Sequence, residues 1–253
     1  MIKKFARFEQ GGLESWGLVE GDKLLVLAGD PLFGEFRTTD HTVPLSEVRL
    51  LAPAKPPKIL AVGLNYRSHL QGRPGPDKPE LFFKPPSALV GPGADIVLPP
   101  DSEDVHYEGE LVIVMGRRCR NVSPEQALDY VFGYTLGNDV SERRWQAGDR
   151  QWWRAKGCDT FAPVGPWIVQ GLDVSAQTLR TRLNGEVVQE APLTDLIFDV
   201  PTVVSFASRY LTLEQGDLIF TGTPGHTRAM HPGDVVEVEV SGIGTLRNPV
   251  RNA

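Results

Sequence analysis

The sequence predicts a β-rich mixed α/β fold with few long helices. Three features indicate it: prolines and glycines (21 and 26 of 253 residues) break the chain often, most apolar runs are short, and only two segments carry helix signals. Hydrophobic residues make up 41% of the chain, which is ordinary for a globular protein. A chain of this length can therefore bury a full core.

The first predicted unit is a small β-rich N-terminal domain at 1–52. Its short apolar runs are separated by glycine-containing pairs that are typical of hairpin turns: Gly11-Gly12, Gly21-Asp22 and Gly29-Asp30. The Pro-rich segment 52–58 has the composition of a stiff linker. We therefore expect a domain boundary there, with the second domain at 53–253.

The second domain is predicted to combine several strands with two helices. Ser123 and Pro124 indicate a helix start, and a second helix is expected at 200–210. Residues 71–79 are polar and rich in Pro and Gly, which indicates a surface loop. Strands are expected at 59–63, 81–84, 107–116, 217–221 and 234–240.

Two carboxylates stand at the head of the apolar run 107–116. Because side chains alternate along a strand, Glu108 and Glu110 are predicted to point to the same face. Carboxylates this close repel each other unless a cation lies between them or one of them is protonated. A divalent metal ion is therefore the first hypothesis, and it requires further oxygen ligands.

Asp139 is the candidate for a third carboxylate, because it ends an apolar strand at a Gly-Asn turn. Three carboxylates with water form the oxygen shell that Mg²⁺, Mn²⁺ or Ca²⁺ prefers. His106 adjoins the glutamate pair, but its position two residues before Glu108 disfavours it as a ligand.

Two other segments carry candidate binding groups. Lys156 lies among aromatic and small residues, where its amine could neutralise a substrate carboxylate or a developing enolate. The turn at 221–225 offers backbone N–H groups and threonine hydroxyls that could hold a carboxylate. A solvated surface lysine and a plain turn remain the alternatives.

Composition argues against several classes of protein. A formal net charge of −6 disfavours nucleic-acid binding, and no apolar run reaches the roughly 18–20 residues of a membrane span. The first residues have two lysines but no apolar run behind them, so a signal peptide is not expected there. Cys119 and Cys158 are too few for a disulfide framework. We expect a cytoplasmic protein with free thiols and no nucleic-acid or membrane partner.

Several motifs occur along the chain in one order, and together they resemble the fumarylacetoacetate hydrolase family. The likeness covers about residues 56–250. Residues 1–52 resemble, more weakly, the small N-terminal domain of some bacterial members. The motifs are Gly63-x-Asn65-Tyr66-x-x-His69, Phe83-Lys84-Pro85, Tyr107-Glu108-Gly109-Glu110-Leu111, Gly137-Asn138-Asp139, Lys156-x-x-Asp159-Thr160-Phe161-x-Pro163-x-Gly165-Pro166, and Gly216-Asp217 before Thr221-Gly222-Thr223-Pro224.

The resemblance implies a rolled mixed β-sheet with few helices, a homodimer, and a substrate that is a 2-oxo or 2-enol acid. It implies that Mg²⁺, or Mn²⁺ or Ca²⁺, binds to Glu108, Glu110 and Asp139. It also implies that Lys156 lies against the substrate, and that Gln146 and Thr223 contact it.

The segment after Asn65-Tyr66 departs from one branch of the family. Hydrolytic members pair a histidine with a glutamate three residues later, and the two activate water. Here His69 is followed by Gly72 at that spacing, so His69 is expected to move a proton without an acidic partner. Asp77 or Glu80 could supply the acid if the loop folds over.

The leading hypothesis is a divalent-metal-dependent isomerase or decarboxylase. It would resemble the bacterial 2-hydroxyhepta-2,4-diene-1,7-dioate and 5-carboxymethyl-2-hydroxymuconate isomerases of aromatic catabolism. The first alternative is C–C hydrolysis of an acylpyruvate or a fumarylacetoacetate-like β-diketo acid. The second is a catalytically silent ligand-binding member, which would have little reason to retain three mutually repelling carboxylates.

Overall fold

Strands dominate the described residues (2–70, 72 and 74–253) of this computed structural model, as the sequence predicts. The helices are α1 (Pro124–Ala127), α2 (Arg143–Gly148), α3 (Trp153–Gly157) and α4 (Val200–Tyr210). The strands are β1 (Lys3–Gln10), β2 (Leu13–Glu20), β3 (Lys23–Gly29), β4 (Phe36–Pro44), β5 (Arg49–Leu50), β6 (Ile59–Gly63), β7 (Glu80–Lys84), β8 (Leu89–Val90), β9 (Ile96–Leu98), β10 (Val105–His106), β11 (Gly109–Met115), β12 (Val131–Asn138), β13 (Ser141–Glu142), β14 (Ala162–Gln170), β15 (Thr178–Leu183), β16 (Glu186–Pro192), β17 (Leu218–Phe220), β18 (Val235–Val240) and β19 (Gly244–Asn252).

A mixed sheet of twelve strands is the frame of the fold. Its main path runs β4-β3-β2-β1-β14-β12-β11-β17-β6-β7, with β5 beside β1 and β8 beside β14. Most neighbours are antiparallel, whereas β17 and β6 are parallel. A five-stranded sheet in the order β16-β15-β18-β19-β9 and a short β10-β13 pair complete the strand pairing.

The N-terminal strands belong to the main sheet. The meander β1–β4 has tight turns at residues 11–12 and 21–22, as predicted. Its first strand pairs with β14, where Phe5 lies opposite Ile168. The segment 52–58 has no regular structure, but Ala52 and Ala54 are buried in it. The linker therefore packs against the protein, and the domain boundary itself stays a prediction.

The core lies on both faces of β11. Leu111 and Ile113 point into a cluster that includes Val203 and Val204 of α4 together with residues of the five-stranded sheet. Val112 and its neighbours on the other face pack into a second cluster with residues of β1, β14 and β17. Because β11 is buried on both faces, the glutamate at its start is held in a rigid surrounding.

The helices agree only partly with the sequence expectations. The helix α4 spans the predicted range, and Asp199 caps it by accepting from Thr202 N–H at 2.9 Å. The predicted helix start at Pro124 is confirmed, but α1 is one turn, followed by a 3₁₀ turn and then β12. The short helices α2 and α3 were not predicted. In the described part of the chain no helix is long and apolar enough to cross a membrane.

Candidate active site

The three predicted carboxylates meet at one end of the β11-β12 pair. Glu110 is on β11, Glu108 directly precedes that strand, and Asp139 directly follows β12. The backbone joins these ends, because Asp139 N–H donates to the Glu108 carbonyl at 2.9 Å. Asn138 reinforces the junction, since its Oδ1 accepts from Glu108 N–H at 2.8 Å. One ligand atom from each of the three buried carboxylates lies within 4.8 Å of the others.

Two glycines allow this close packing. A Cβ on Gly109 would lie 2.0 Å from Oγ1 of Thr181, so any side chain between the two glutamates would collide with β15. Gly222 has φ of 99°, and a Cβ there would lie 2.7 Å from Cβ of Asn65. Its N–H donates to Oε2 of Glu110 at 2.6 Å, which orients that carboxylate.

Three buried or half-buried cations accompany the three carboxylates. Lys156 donates to Oε2 of Glu108 and to Oδ2 of Asp139, both at 2.7 Å. Lys84, whose side chain is fully buried, lies 2.5 Å from Oδ1 of Asp139 and also donates to the Lys156 carbonyl. Arg143 forms an ion pair with Oε1 of Glu108. Among the described residues, none of these cations forms an ion pair with Glu110.

This distribution of charge separates the pKa values of the two glutamates. Burial opposes ionisation of Glu108, but Arg143 and Lys156 outweigh burial and hold the pKa of its carboxyl below the usual range. Burial and the charges of Asp139 and Glu108 raise the pKa of Glu110 well above its usual value. Burial also opposes the charge of Lys156, but Asp139 and Glu108 raise the pKa of its amine.

The donor set suits a hard divalent cation. The converging ligand atoms are carboxylate oxygens, which are the ligands that Mg²⁺, Mn²⁺ and Ca²⁺ prefer. Glu110 supports the fit, because its carboxylate is buried beside two like charges without an ion-pair partner among the described residues. A cation at this point would compensate that charge.

His69 is hydrogen-bonded to the backbone, and among the described residues it forms no ion pair with an acidic side chain. Its Nδ1 lies 2.6 Å from the Gly225 carbonyl, and Gly225 N–H donates to Oγ of Ser68 at 3.0 Å. Because a carbonyl only accepts, Nδ1 carries a proton, and Nε2 of the neutral ring is left as the basic nitrogen. Asp77 and Glu80 are exposed and do not line the cavity that His69 lines.

The loop after His69 is described in part. Gln71 and Arg73 lie outside the described residues. Gly72 has φ of 80°, a conformation that disfavours a glutamate at this position.

The two predicted substrate contacts are brought to the same cavity. Gln146 lies on α2, where its Oε1 accepts from Nη1 of Arg143 at 2.7 Å. Thr223 follows β17, donates its hydroxyl proton to the Gly109 carbonyl at 2.9 Å and accepts from Nε2 of Gln189 at 2.9 Å. The hydroxyl proton of Thr223 is therefore engaged in a hydrogen bond within the protein.

The carboxylates open into a cavity of about 460 Å³. Apolar and aromatic groups form part of its wall: Val62, Leu64, Phe82 and Trp152. Polar groups form the rest: His69, His106, Glu108, Glu110, Asp139, Arg143, Gln146, Lys156, Thr223, His226 and Thr227. All the residues predicted for the site are thus brought together, although their roles stay predictions.

Lys84 and Arg143 were not assigned to the site from the sequence. Lys84 gave a signal, because a lysine ending an apolar strand before two prolines is unusual, and the motif match had included it. Arg143 gave no signal in the sequence. The adjacent Arg144 pairs with Glu103 at the surface, and only the folded structure shows which of the two arginines belongs to the site. His106, disfavoured as a ligand, engages Asp104 and Thr227 instead of the three carboxylates.

Known proteins match the chain over nearly its whole length. The family model "Fumarylacetoacetate (FAA) hydrolase C-terminal" matches residues 58–251, and the model "Rv2993c-like, N-terminal" matches residues 3–53. Protein Rv2993c of Mycobacterium tuberculosis is 48% identical over 224 residues, which cover 86% of this chain and 84% of that protein. A mitochondrial oxaloacetate tautomerase of Xenopus laevis is 37% identical over 84% of this chain and 72% of its own length.

Solved structures share the fold. The 5-carboxymethyl-2-hydroxymuconate delta-isomerase of Mycobacterium smegmatis is 43% identical, with a TM-score of 0.93 over 99% of this chain and 100% of that one. The maleylpyruvate hydrolase of Sphingobium sp. SYK-6, solved with manganese(II) and pyruvate, is 31% identical, with a TM-score of 0.82 over 99% of each chain. On the extent of these matches, the chain belongs to the fumarylacetoacetate hydrolase family.

Proposed function

We propose that the protein is a divalent-metal-dependent isomerase that moves a proton between carbon and oxygen, or along a conjugated chain, in a 2-oxo or 2-enol dicarboxylic acid. The observation that carries the proposal is the pairing of His69 with a backbone carbonyl instead of an acid. A histidine held in this way can give and take a proton, but among the described residues it is not paired with a carboxylate that would help it to activate water.

Glu108, Glu110 and Asp139 would hold the ion, most simply Mg²⁺, with Mn²⁺ or Ca²⁺ as alternatives. When bound there, the ion would act as a Lewis acid on a 2-oxo carboxylate and lower the energy of its enolate. Lys156 spends two of its three N–H donors on Glu108 and Asp139, so one remains for the substrate oxygen that becomes negative.

The charge of the site favours a dianionic substrate. Three carboxylates and three cations cancel formally, so a divalent ion brings two surplus positive charges into a buried cavity. A dicarboxylate neutralises them, whereas a monocarboxylate leaves one uncompensated charge. Oxaloacetate and 2-hydroxyhepta-2,4-diene-1,7-dioate both satisfy this condition, and similar proteins are named as an oxaloacetate tautomerase and as a 2-hydroxyhepta-2,4-diene-1,7-dioate isomerase.

A product assay tests the proposal. Purified protein with Mg²⁺ is incubated with oxaloacetate, with acetylpyruvate and with 2-hydroxyhepta-2,4-diene-1,7-dioate, and the products are identified by NMR. We expect tautomerisation or double-bond isomerisation of the dicarboxylates, lost on addition of EDTA and in Glu110→Gln. The surface variant Glu190→Gln serves as a control, because its carboxylate is exposed and does not line the cavity.

The alternatives give different products. Pyruvate and acetate from acetylpyruvate would indicate C–C hydrolysis, pyruvate from oxaloacetate would indicate decarboxylation, and no turnover of any substrate would indicate a silent ligand-binding protein. A homodimer remains part of the proposal, and light scattering of the purified protein measures it directly.

A further inference from the structure

A chain of side-chain hydrogen bonds links Asp104, His106, Thr227 and Arg143. Oδ1 of Asp104 lies 2.8 Å from Nε2 of His106, and Nδ1 of the same ring lies 2.8 Å from Oγ1 of Thr227. Nη2 of Arg143 donates to that threonine oxygen at 2.9 Å. His106, Thr227 and Arg143 all line the cavity.

The carboxylate of Asp104 fixes the direction of each of these hydrogen bonds. A carboxylate only accepts, so Nε2 of the neutral His106 ring carries the proton and Nδ1 is left as an acceptor. The hydroxyl of Thr227 must then donate to Nδ1, and its oxygen lone pairs are presented to Arg143. With the opposite tautomer, Nε2 would have no proton to donate to Asp104.

Arg143 passes this orientation on to the site. Its Nη2 also pairs with Glu108, and its Nη1 donates to Gln146 at 2.7 Å. Because a guanidinium is planar and its donors have fixed directions, the contact with Thr227 removes the remaining freedom of the plane to rotate. Glu108 and Gln146 are thus oriented by a group that is anchored on His106.

His106 also holds the backbone that carries Thr227. It forms an isolated antiparallel bridge with Ala229, and Met230 N–H donates to the Val105 carbonyl at 2.8 Å. At the other end of this segment, Gly222 N–H donates to Glu110. The segment is therefore fixed at both ends next to the three carboxylates.

We propose that His106 is a positioning residue, which acts through Thr227 to set the Arg143 fork and with it the placement of Gln146 against a bound 2-oxo acid. The inference rests on the proposed function for the nature of the ligand. It predicts that loss of the chain weakens ligand binding and raises KM more than it lowers kcat, because the carboxylates and Lys156 keep their own contacts.

The test measures oxalate binding to the Mg²⁺-loaded protein by calorimetry. Thr227→Val and His106→Leu each remove the central hydrogen bond, and we expect each to raise the Kd about 10-fold. Thr227→Ser keeps the hydroxyl, and His106→Asn keeps an acceptor near the position of Nδ1, so both should stay within about 3-fold of wild type. His41→Leu is the control, because His41 is exposed on β4.

Coupling between the two residues separates positioning from general destabilisation. The double variant Thr227→Val/His106→Leu should raise the Kd no more than either single change, since both break the same chain. Additive losses, or full-strength binding in both single variants, would overturn the proposal.

Nitrogen NMR of the His106 ring gives a readout that needs neither ligand nor turnover. We expect the proton on Nε2, and a proton on Nδ1 would overturn the proposal. The tautomer, together with coupling between positions 106 and 227 in urea unfolding, tests the hydrogen-bond chain by itself. If both results are as expected but oxalate does not bind and no 2-oxo acid reacts, the proposed function is wrong and the hydrogen-bond chain is still supported.

Discussion

The fully buried ammonium group of Lys84 lies 2.5 Å from Oδ1 of Asp139, while Lys156 donates to the other oxygen of the same carboxylate at 2.7 Å. Lys84 also donates to the Lys156 backbone carbonyl. Burial lowers the pKa of Lys84, although Asp139 opposes this change. One lysine thus supports both a candidate metal ligand and the candidate catalytic lysine without lining the cavity.

Lys84→Met should therefore destabilise the protein strongly. The change leaves Oδ1 of Asp139 and the Lys156 carbonyl without their buried donor, and loss of one partner of a buried ion pair typically costs about 3–5 kcal/mol. The free energy of unfolding in urea measures the loss. Lys55→Met is the matched control, since Lys55 forms an exposed ion pair with Glu14 and should change stability by less than about 1 kcal/mol. Equal small losses in both variants would contradict a structural role for Lys84.

Lys156→Met should lower kcat by roughly 100-fold to 1,000-fold, as expected for loss of a group that stabilises a developing oxyanion. Affinity for Mn²⁺ should fall little, because all three carboxylates remain. Lys156→Arg should not restore activity, since the larger planar guanidinium does not fit the place of this buried ammonium group. Steady-state kinetics measure kcat, and titration with Mn²⁺ measures the metal affinity. A joint loss of activity and metal binding in Lys156→Met would argue against a role of Lys156 towards the substrate.

Gly109→Ala should disrupt the site by steric conflict alone. The new Cβ would lie 2.0 Å from Oγ1 of Thr181, a hydroxyl without a hydrogen-bond partner among the described residues. Thr181→Ala removes that oxygen at little cost, so Gly109→Ala/Thr181→Ala should recover much of the stability and Mn²⁺ affinity lost in Gly109→Ala. No recovery in the double variant would mean that the glycine is needed for another reason.

Stability at alkaline pH should depend on Tyr134. Burial raises the pKa of Tyr134 to about 12, above its ordinary value of 10.0. The unfolded chain therefore releases this proton first, and the free energy of unfolding should fall as the pH rises from about 10 towards 12, by up to about 2–3 kcal/mol. Tyr134→Phe should flatten this part of the profile in urea unfolding between these pH values. An unchanged slope would show that Tyr134 is not the group responsible.

The sequence was sufficient for the elements whose local pattern agrees with the final fold. The alternating valines of β18 and the apolar run of β11 were recognisable, and the carboxylates at the ends of β11 and β12 followed from them. In contrast, α3 is five residues long and carries Lys156, and no periodicity can be read from so short a segment. Its helical form is set by tertiary packing.

Long-range pairing was the part that sequence reasoning could not reach. Nothing local indicates that Phe5 of β1 lies opposite Ile168 of β14, so the N-terminal strands looked separate from the main sheet. The partners of His69 and Arg143 are equally remote, because Gly225 and Thr227 lie 156 and 84 residues further along the chain. Contacts of this kind depend on topology, which residue patterns constrain only weakly.

Incorporation of solvent deuterium at C3 of oxaloacetate is the most direct measurement of metal-dependent proton transfer at carbon. With wild-type protein and Mg²⁺ in D₂O, we predict catalytic exchange ahead of any cleavage, lost with EDTA and reduced roughly 100-fold or more in His69→Asn. Two results would contradict metal-dependent proton transfer by His69. One is exchange at the same rate without the metal or without His69, and the other is cleavage to pyruvate as fast as exchange.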